Sequence, residues 1–159
     1  MNSSTLAATS LAVAAAAGTG SIASGHAIPR WYSRLRKPSY QPPRAAFPAA
    51  WTTLYGDIAV TSAVTLDRFR AAGQHDQARN YTVALATNLL LNAGWSWLFF
   101  GYHKLGASAV GAAALTASSA DLVRRTAQAT PRGGLALLPY PLWCGFATVL
   151  STHIWRLNR

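Results

Sequence analysis

The stretch NYTVALATNLLLNAGWSWLFFGYH, residues 80–103, contains no Asp, Glu, Lys or Arg. A helix needs about 20 predominantly apolar residues to cross the hydrocarbon core of a bilayer. Four other stretches are similarly poor in charge: residues 1–29, 45–66, 105–120 and 133–155. Only Asp57 interrupts the second of them. The sequence therefore predicts an all-α fold, an integral membrane bundle of five transmembrane helices.

The helix bounds follow from these stretches and from the turn-forming residues between them. We place the helices at about residues 5–25, 46–68, 79–102, 105–123 and 135–157, in a single domain over residues 1–159. The first stretch could instead be a secretory signal, with small residues at Ser21 and Ala23 for cleavage. Signal peptides open with a positive region, and here the first basic residue is Arg30, so we favour a retained helix.

The composition agrees with this class of protein. Of 159 residues, 51% are hydrophobic and only 11% are charged, against about 25% in soluble domains. Cys144 is the single cysteine, which excludes a disulfide scaffold. The net charge of +10 comes from Lys and Arg at the ends of apolar stretches, where membrane proteins carry them. This distribution argues against nucleic acid as a partner.

The basic residues also predict an orientation. Five spans place the first loop, Lys104 and the C-terminus on one side with eight basic residues, and six on the other side. The positive-inside rule then puts the C-terminus in the cytoplasm. The composition, rich in Ala and Arg, suggests a bacterial cell membrane.

A polar and aromatic stripe marks the third predicted helix. Asn88, Asn92, Trp95 and Phe99 have the spacing of one helix face. Amides inside hydrocarbon must find hydrogen-bond partners. The stripe is either the wall of a ligand cavity or a set of hydrogen bonds between helices, and the spacing leaves both interpretations open.

Further candidates lie on the second and fifth helices. Trp51 and Tyr55 are one turn apart, and Trp143 lies beyond a helix-disturbing Pro139. The proline marks either a cavity or a kink that improves packing, and the residues alone favour packing. Asp57 points about 120° away from Trp51, so we expect it to face protein, to be protonated, or to pair with a tyrosine or histidine.

No motif for catalysis or metal binding occurs in the sequence. HExxH, CxxC, the P-loop and GxSxG are missing, and so is every glutamate. Cys144 has apolar neighbours, which favours an inert thiol. The four histidines are scattered near helix ends, so we favour interfacial histidines over axial haem ligands. We predict no metal site and no cofactor.

Four motifs occur in order along the chain. They are Trp31-Tyr32 with KPSYQPP (37–43), WTTLY (51–55), LNxxWxxxFF (91–100), and PYxxWxxFA (139–147) with WRxN (155–158). Together they resemble the translocator protein family (TspO/MBR), also called tryptophan-rich sensory proteins or peripheral-type benzodiazepine receptors. The resemblance leaves out only the first and fourth helices.

The resemblance implies a five-helix membrane protein, usually a homodimer, that binds porphyrins and other tetrapyrroles. In animals such proteins also bind cholesterol and benzodiazepine-type ligands. The pocket would lie at the end of the bundle covered by the first loop, residues 26–45, as a lid. The ligand-binding residues implied by the matching motifs are Tyr32, Pro42, Trp51, Tyr55, Asn92, Trp95, Trp143 and Ala147. Some bacterial relatives are associated with light-dependent porphyrin breakdown that involves tryptophans such as Trp51 and Trp143.

The chain also departs from the family pattern. The cholesterol motif of the animal proteins needs a tyrosine where this chain has Thr152, which makes a sterol the less favoured ligand. Ala93 stands where an aromatic residue is often found, which would leave the pocket roomier. Asp57 has no counterpart in the family motifs.

The leading hypothesis is a membrane receptor or carrier for tetrapyrroles, in which indoles stack on the macrocycle and basic residues bind its carboxylates. The basic residues nearest to the pocket mouth would be Arg30, Arg34, Arg36, Lys37 and Arg44. One alternative is an enzyme-like function, the light-dependent breakdown of porphyrin. Another is a structural or stress-response membrane protein in which ligand binding is incidental. The expected partners are a tetrapyrrole bound as ligand, the lipid bilayer and a second copy of the chain.

Overall fold

A computed structural model describes residues 1–27 and 31–159, with only the backbone at residues 26 and 27. The described residues form helices and connections without strands. The helices are α1 (Ser3–Ala27), α2 (Trp31–Arg34), α3 (Ala46–Ala71), α4 (His75–Ser96, continued by a π-helical turn, Trp97–Gly101), α5 (Leu105–Ala129), α6 (Pro131–Leu137) and α7 (Pro139–Leu157). The predicted all-α bundle of five transmembrane helices is confirmed, with α1, α3, α4, α5 and α7 as its long helices.

Three of the described segments are long and apolar enough to span a membrane by composition alone. They are Ser3–Gly25, His75–Gly101 and Pro131–Leu157. The other two long helices, α3 and α5, carry charged residues towards their C-terminal ends and several Ser, Thr and Gly residues, which lower their mean hydropathy. Small residues of this kind are well suited to contacts between helices in lipid.

The helix ends differ from the prediction where local chemistry extends or breaks a helix. α5 runs to Ala129 rather than to residue 123. Asp121 pairs with Arg124 and Arg125 one turn later on the same helix face, which adds some stability to this last part of the helix. The predicted fifth helix is two helices, since Pro139 has no N–H to continue the hydrogen bonds of α6. The predicted first loop, residues 26–45, contains the short helix α2.

The packing of the long helices leaves a gap between α3 and α7. α5 lies between α4 and α7, while α1 packs on α3 and α4, and α6 on α3 and α5. The backbones of α3 and α7 hardly approach each other. Aromatic side chains bridge the space between them: the ring centroids of Phe47 and Trp143 are 5.9 Å apart, and those of Trp51 and Tyr140 are 6.5 Å apart. This gap positions the candidate site.

The two ends of the bundle are identified by side-chain contacts. At one end, Trp31 of α2 stacks on His103 in the α4–α5 turn, with ring centroids 4.0 Å apart. The C-terminus lies at the same end, because Asn158 bonds the backbone of Arg36. At the opposite end, Arg70 of α3 donates to Thr5 of α1 over 3.1 Å. The first loop, the α4–α5 turn and the C-terminus therefore share one side, as the sequence predicts.

Candidate functional site

A cavity of about 270 Å³ lies under the first loop, between α1, α3, α4 and α7. Its lining residues are Ala17, Gly20, Ser21 and Ser24 of α1; Tyr32; Arg44; Phe47, Pro48, Trp51 and Tyr55 of α3; Trp95, Ser96, Phe99 and Phe100 of α4 and its π-helical turn; and Trp143, Ala147, Leu150, Ser151 and Ile154 of α7. None of the described lining residues belongs to α5, which supports the site from behind.

Aromatic side chains form most of the walls. Trp51 stacks on Tyr55 with ring centroids 5.4 Å apart, and Trp95 stacks on Phe99 at 5.7 Å. Trp143 meets Phe47 edge to face at 5.9 Å. Such pairs fix the orientations of the rings and leave large apolar faces available for a flat ligand.

The π-helical turn shapes the wall formed by α4. Over Trp97–Gly101 the helix widens, and Phe99 and Phe100 both line the cavity with their rings 4.8 Å apart. Gly101 permits the turn, because a Cβ atom there would lie 2.7 Å from Cε3 of Trp97. Single π-helical turns inside α-helices are often found at functional sites.

Below the cavity, a chain of hydrogen bonds links four helices. The Tyr55 hydroxyl donates to Oδ1 of Asn92 over 2.8 Å, and Nδ2 of Asn92 donates to the Tyr140 hydroxyl over 3.4 Å. Tyr140 in turn donates to Oδ1 of Asn88 over 2.7 Å, and Nδ2 of Asn88 donates to Ser118 over 3.1 Å. Every one of these polar groups has a partner, as burial in hydrocarbon requires.

The stripe on the third predicted helix was interpreted either as a cavity wall or as a set of hydrogen bonds between helices. Each interpretation is correct for two of its four residues. Asn88 and Asn92 are buried and form the interhelical hydrogen bonds, whereas Trp95 and Phe99 line the cavity. The stripe runs along one helix face, and the cavity simply ends between Asn92 and Trp95 at that depth of the bundle.

The structure brings together six of the eight residues implied by the family resemblance. Tyr32, Trp51, Tyr55, Trp95, Trp143 and Ala147 line the cavity. Asn92 lies beneath the floor and reaches the cavity only through Tyr55. Pro42 is half-buried in the first loop and does not line the cavity. A role of these residues in ligand binding remains a prediction.

Several lining residues were not predicted. The α1 wall consists of Ala17, Gly20, Ser21 and Ser24, and none of these was among the predicted site residues. Their small side chains leave space beside the larger rings, so a periodic run of small residues was the available signal. Phe100 ends the motif at residues 91–100 but was not predicted as a ligand-binding residue, and Phe47, one helical turn before Trp51, had no signal of its own.

The first loop closes the cavity with an aromatic and cationic cluster. The Lys37 ammonium group lies 4.7 Å from the centre of the Tyr32 ring and donates to the backbone oxygens of Ser33 and Leu35. Burial raises the pKa of Tyr32, while the charge of Arg44 and the Gln41 side chain act in the opposite direction. Burial, followed by the charge of Arg44, lowers the pKa of Lys37.

Arg44 is the only charged residue among the described residues that line the cavity. Arg34 and Arg36, predicted near the mouth, are exposed and do not line it. Arg30 lies outside the described residues. Of the basic residues predicted at the mouth, only Arg44 therefore lines the cavity among the described residues.

Two contacts attach the first loop to α7. Asn158 accepts a hydrogen bond from the backbone N–H of Arg36 over 2.9 Å and donates to its carbonyl oxygen over 2.8 Å. The Tyr40 hydroxyl lies 3.0 Å from Nδ1 of His153. Both contacts hold the loop against the end of the bundle where the cavity lies.

Other reactive side chains lie apart from the cavity. Cys144 is buried, and none of the described residues forms a group of three or more potential metal ligands. Asp57 is half-buried, and its carboxylate has no hydrogen bond or ion pair within the described ranges, so the predicted pairing with a tyrosine or histidine is not found there. Only its backbone oxygen is engaged, by Thr61 over 2.6 Å.

Comparison with known proteins identifies relatives over nearly the whole chain. The model of the TspO/MBR family matches residues 8–156. The chain is 32% identical over 149 residues to protein CrtK of Rhodobacter capsulatus, covering 93% of this chain and 89% of CrtK. It is 30% identical to the human translocator protein, covering 81% and 75% of the two chains. It is 33% identical to the tryptophan-rich protein TspO of Chlorobaculum tepidum, covering 80% and 79%.

Proposed function

This chain belongs to the TspO/MBR family of membrane proteins, and from that premise we propose that it is a membrane receptor or carrier that binds tetrapyrroles in the cavity under its first loop. The observation that carries the proposal is the convergence of Trp51, Trp95 and Trp143 on one cavity that has a guanidinium as its charged lining residue. A porphyrin is a flat apolar macrocycle with carboxylates on one edge, and this arrangement matches both of its parts.

The cavity is small for a tetrapyrrole, so the proposal requires that the site can open. At about 270 Å³ it is just below the range of about 300–1,000 Å³ typical of pockets for drug-sized ligands. A whole macrocycle therefore needs more room than the closed site offers. We propose that residues 26–45 act as a lid that moves outward when the ligand enters, with the carboxylates held at the mouth.

A titration with protoporphyrin tests the proposal. We expect the Trp51→Leu/Trp143→Leu double variant to bind at least tenfold more weakly, because each lost ring contact is worth about 0.5–1.5 kcal/mol beyond area burial. Quenching of tryptophan fluorescence and the shift in Tm both measure binding. Trp155→Phe, at an exposed site outside the cavity, is the control. Unchanged affinity of the double variant would show that this cavity is not the binding site.

The carboxylate contact has its own test. Arg44→Gln should weaken binding of protoporphyrin but leave binding of its dimethyl ester unchanged, because the ester has no anionic group for the guanidinium. Arg79→Gln, an exposed arginine at the other end of the bundle, is the matched control. An equal loss for acid and ester would mean that Arg44 contributes packing rather than charge.

A second candidate function is light-dependent breakdown of the bound porphyrin. The stacked pair of Trp51 and Tyr55 in the cavity wall favours it, because these oxidisable rings would lie against the excited macrocycle. Illuminated and dark samples of the porphyrin complex distinguish it from binding alone. A new absorbing product that forms only in the light, and is lost in Trp51→Phe, would support it. If no tetrapyrrole shifts Tm at all, a structural or stress-response role would replace both proposals.

The cellular setting is also proposed. We place the chain in a bacterial cell membrane because its composition is rich in Ala and Arg, and we place its C-terminus in the cytoplasm because of the distribution of its basic residues. We propose a homodimer as well, since α5 carries small exposed residues such as Ala107 and Ala114 that allow a second copy to approach closely.

A further inference from the structure

A second cavity lies at the opposite end of the bundle, in the groove between α1 and α4 over α3. Its volume is about 370 Å³. The floor contains the buried side chains of Leu66, Leu85 and Leu89, and the rim contains the exposed residues Ala8, Ala12 and Ala86. Ser4, Thr5, Thr9, Thr82 and Arg70 also line the groove. The remaining lining residues are apolar, and the exposed rim opens the groove to the outside of the bundle.

The hydroxyl groups within the groove are already satisfied. Thr9 donates to the carbonyl oxygen of Ala59 over 2.9 Å, and Thr82 donates to that of Ala78 in its own helix over 2.9 Å. These side chains therefore present no unmet donor to an occupant. Below its mouth the groove is suited to hydrocarbon and not to a polar molecule.

One cation stands at the mouth. Arg70 lines the groove and donates from Nη1 to the Thr5 hydroxyl over 3.1 Å. It forms no ion pair within the described part of the chain. Asp67, one turn earlier on α3, accepts a hydrogen bond from the backbone N–H of Asn2 over 2.5 Å and interacts with the Thr5 hydroxyl. Its carboxylate also lies within the electrostatic reach of Arg70, although the two do not form an ion pair. The remaining N–H groups of the guanidinium can bind a phosphate, for which their planar fork is well matched.

The dimensions fit a lipid chain in a single leaflet. From Ser4 at the mouth to Ala12 the groove follows α1 for eight residues, about 12 Å at 1.5 Å per residue. One leaflet contributes about 15 Å of hydrocarbon, half of a core about 30 Å thick. On the cytoplasmic or matrix side of other membrane proteins, basic pockets between transmembrane helices bind anionic lipid headgroups. The proposed orientation places this groove in the other leaflet, where a guanidinium above an apolar groove offers a phosphate the same contacts.

From the charge at the mouth and the apolar groove beneath it, we propose that this groove binds an anionic phospholipid, with its phosphate on Arg70 and one acyl chain between α1 and α4. The site is separate from the proposed tetrapyrrole cavity and does not depend on it.

Native mass spectrometry of the detergent-purified protein tests the site. Dioleoylphosphatidylglycerol and dioleoylphosphatidylcholine have the same chains but differ in net charge. We expect the unmodified protein to retain the glycerol lipid at about a fivefold lower concentration than the choline lipid. Arg70→Gln should abolish this preference. Arg68→Gln, which removes an exposed arginine outside the groove, should keep it.

A groove-filling variant tests the acyl chain. Ala86→Phe should reduce retention of both lipids several-fold, and an unchanged Tm would show that the bundle still folds. The proposal is overturned if the unmodified protein shows no preference, if Arg70→Gln keeps it, or if Ala86→Phe binds both lipids normally. It is also overturned if Ala86→Cys cross-links two copies efficiently in membranes, because a second copy would then cover the groove.

Discussion

At the scale of single residues, the Tyr140 hydroxyl is the centre of the polar layer beneath the cavity. It is fully buried, accepts from Asn92 and donates to Asn88, and so joins α7 to α4 at two points. Because Asn92 also accepts from Tyr55, the position of the cavity floor depends on this one oxygen atom.

Removing that oxygen should destabilise the fold measurably. Tyr140→Phe keeps the ring but leaves Nδ2 of Asn92 and Oδ1 of Asn88 without a partner, at a cost of about 1–3 kcal/mol. Unfolding by denaturant in detergent measures the change. Tyr102→Phe is the control, since that ring is 64% exposed. Equal stability of the two variants would mean that water or rearranged amides satisfy the freed groups.

The sequence predicted which residues share a face better than what each of them contacts. Helical spacing brings Asn88, Asn92, Trp95 and Phe99 together in any helix. Whether an amide meets another helix or a cavity depends on how far the neighbouring helices stay apart, which spacing along one helix cannot show. Pro42 illustrates the same limit for loops, because no periodicity relates a loop residue to the cavity.

At the scale of helices, the closest approach is set by glycine. A Cβ atom at Gly134 of α6 would lie 2.7 Å from Cβ and 3.0 Å from Cα of Ala127 on α5. The second of these atoms belongs to backbone and cannot rotate away. The short α6 can lie flat on α5 only because this position has no side chain.

Substitution by alanine should therefore affect the stability of the fold differently at two glycines. Gly134→Ala should lower the free energy of unfolding by about 1–3 kcal/mol, as overpacking does. Gly56→Ala on α3, where nothing lies within 4 Å, should leave it unchanged or raise it by up to about 1 kcal/mol through helix propensity. Denaturant unfolding of both variants measures the difference. A stable Gly134→Ala protein would show that α6 can move away from α5.

The number and order of the long helices were predictable because stretches without charge determine which segments enter lipid. The positions at which helices break were harder to predict. Pro139 indicated a disturbance but not that α6 would end at Leu137. The π-helical turn had no signal in the sequence. Gly101 permits it, since a Cβ atom there would lie 2.7 Å from Cε3 of Trp97, but a glycine alone does not predict such a turn.

At the scale of the whole molecule, the lid is held by the last turn of the chain. Asn158→Ala removes both hydrogen bonds to Arg36, so amide hydrogens in residues 31–45 should exchange faster with solvent. Hydrogen–deuterium exchange by mass spectrometry measures this, with Asn80→Ala at the opposite end as control. A tetrapyrrole bound as proposed should also dissociate faster from the variant. Unaltered exchange would show that Tyr40 and the ring contacts suffice to hold the lid.

The proposed orientation can be tested in spheroplasts with an impermeant maleimide. Cys144 is 1% exposed and should not react, so new cysteines report their own side of the membrane. Gln74→Cys, between α3 and α4, should be labelled from outside, and Ser39→Cys in the first loop only after permeabilisation. The reverse pattern would place the C-terminus outside and show that a difference of eight to six basic residues does not determine the orientation.

No described residue of α5 lines the cavity, so the residues that stabilise the bundle and the residues that would contact a ligand lie largely on different helices. Substitutions on α5 change how the bundle holds together, and they reach the site only through the helices that α5 supports. A chimera that carries α5 of a relative, with α6 adjusted to fit, should therefore keep the ligand preference of this chain while taking a different thermal stability. Ligand selectivity and robustness could then be engineered separately within one small protein.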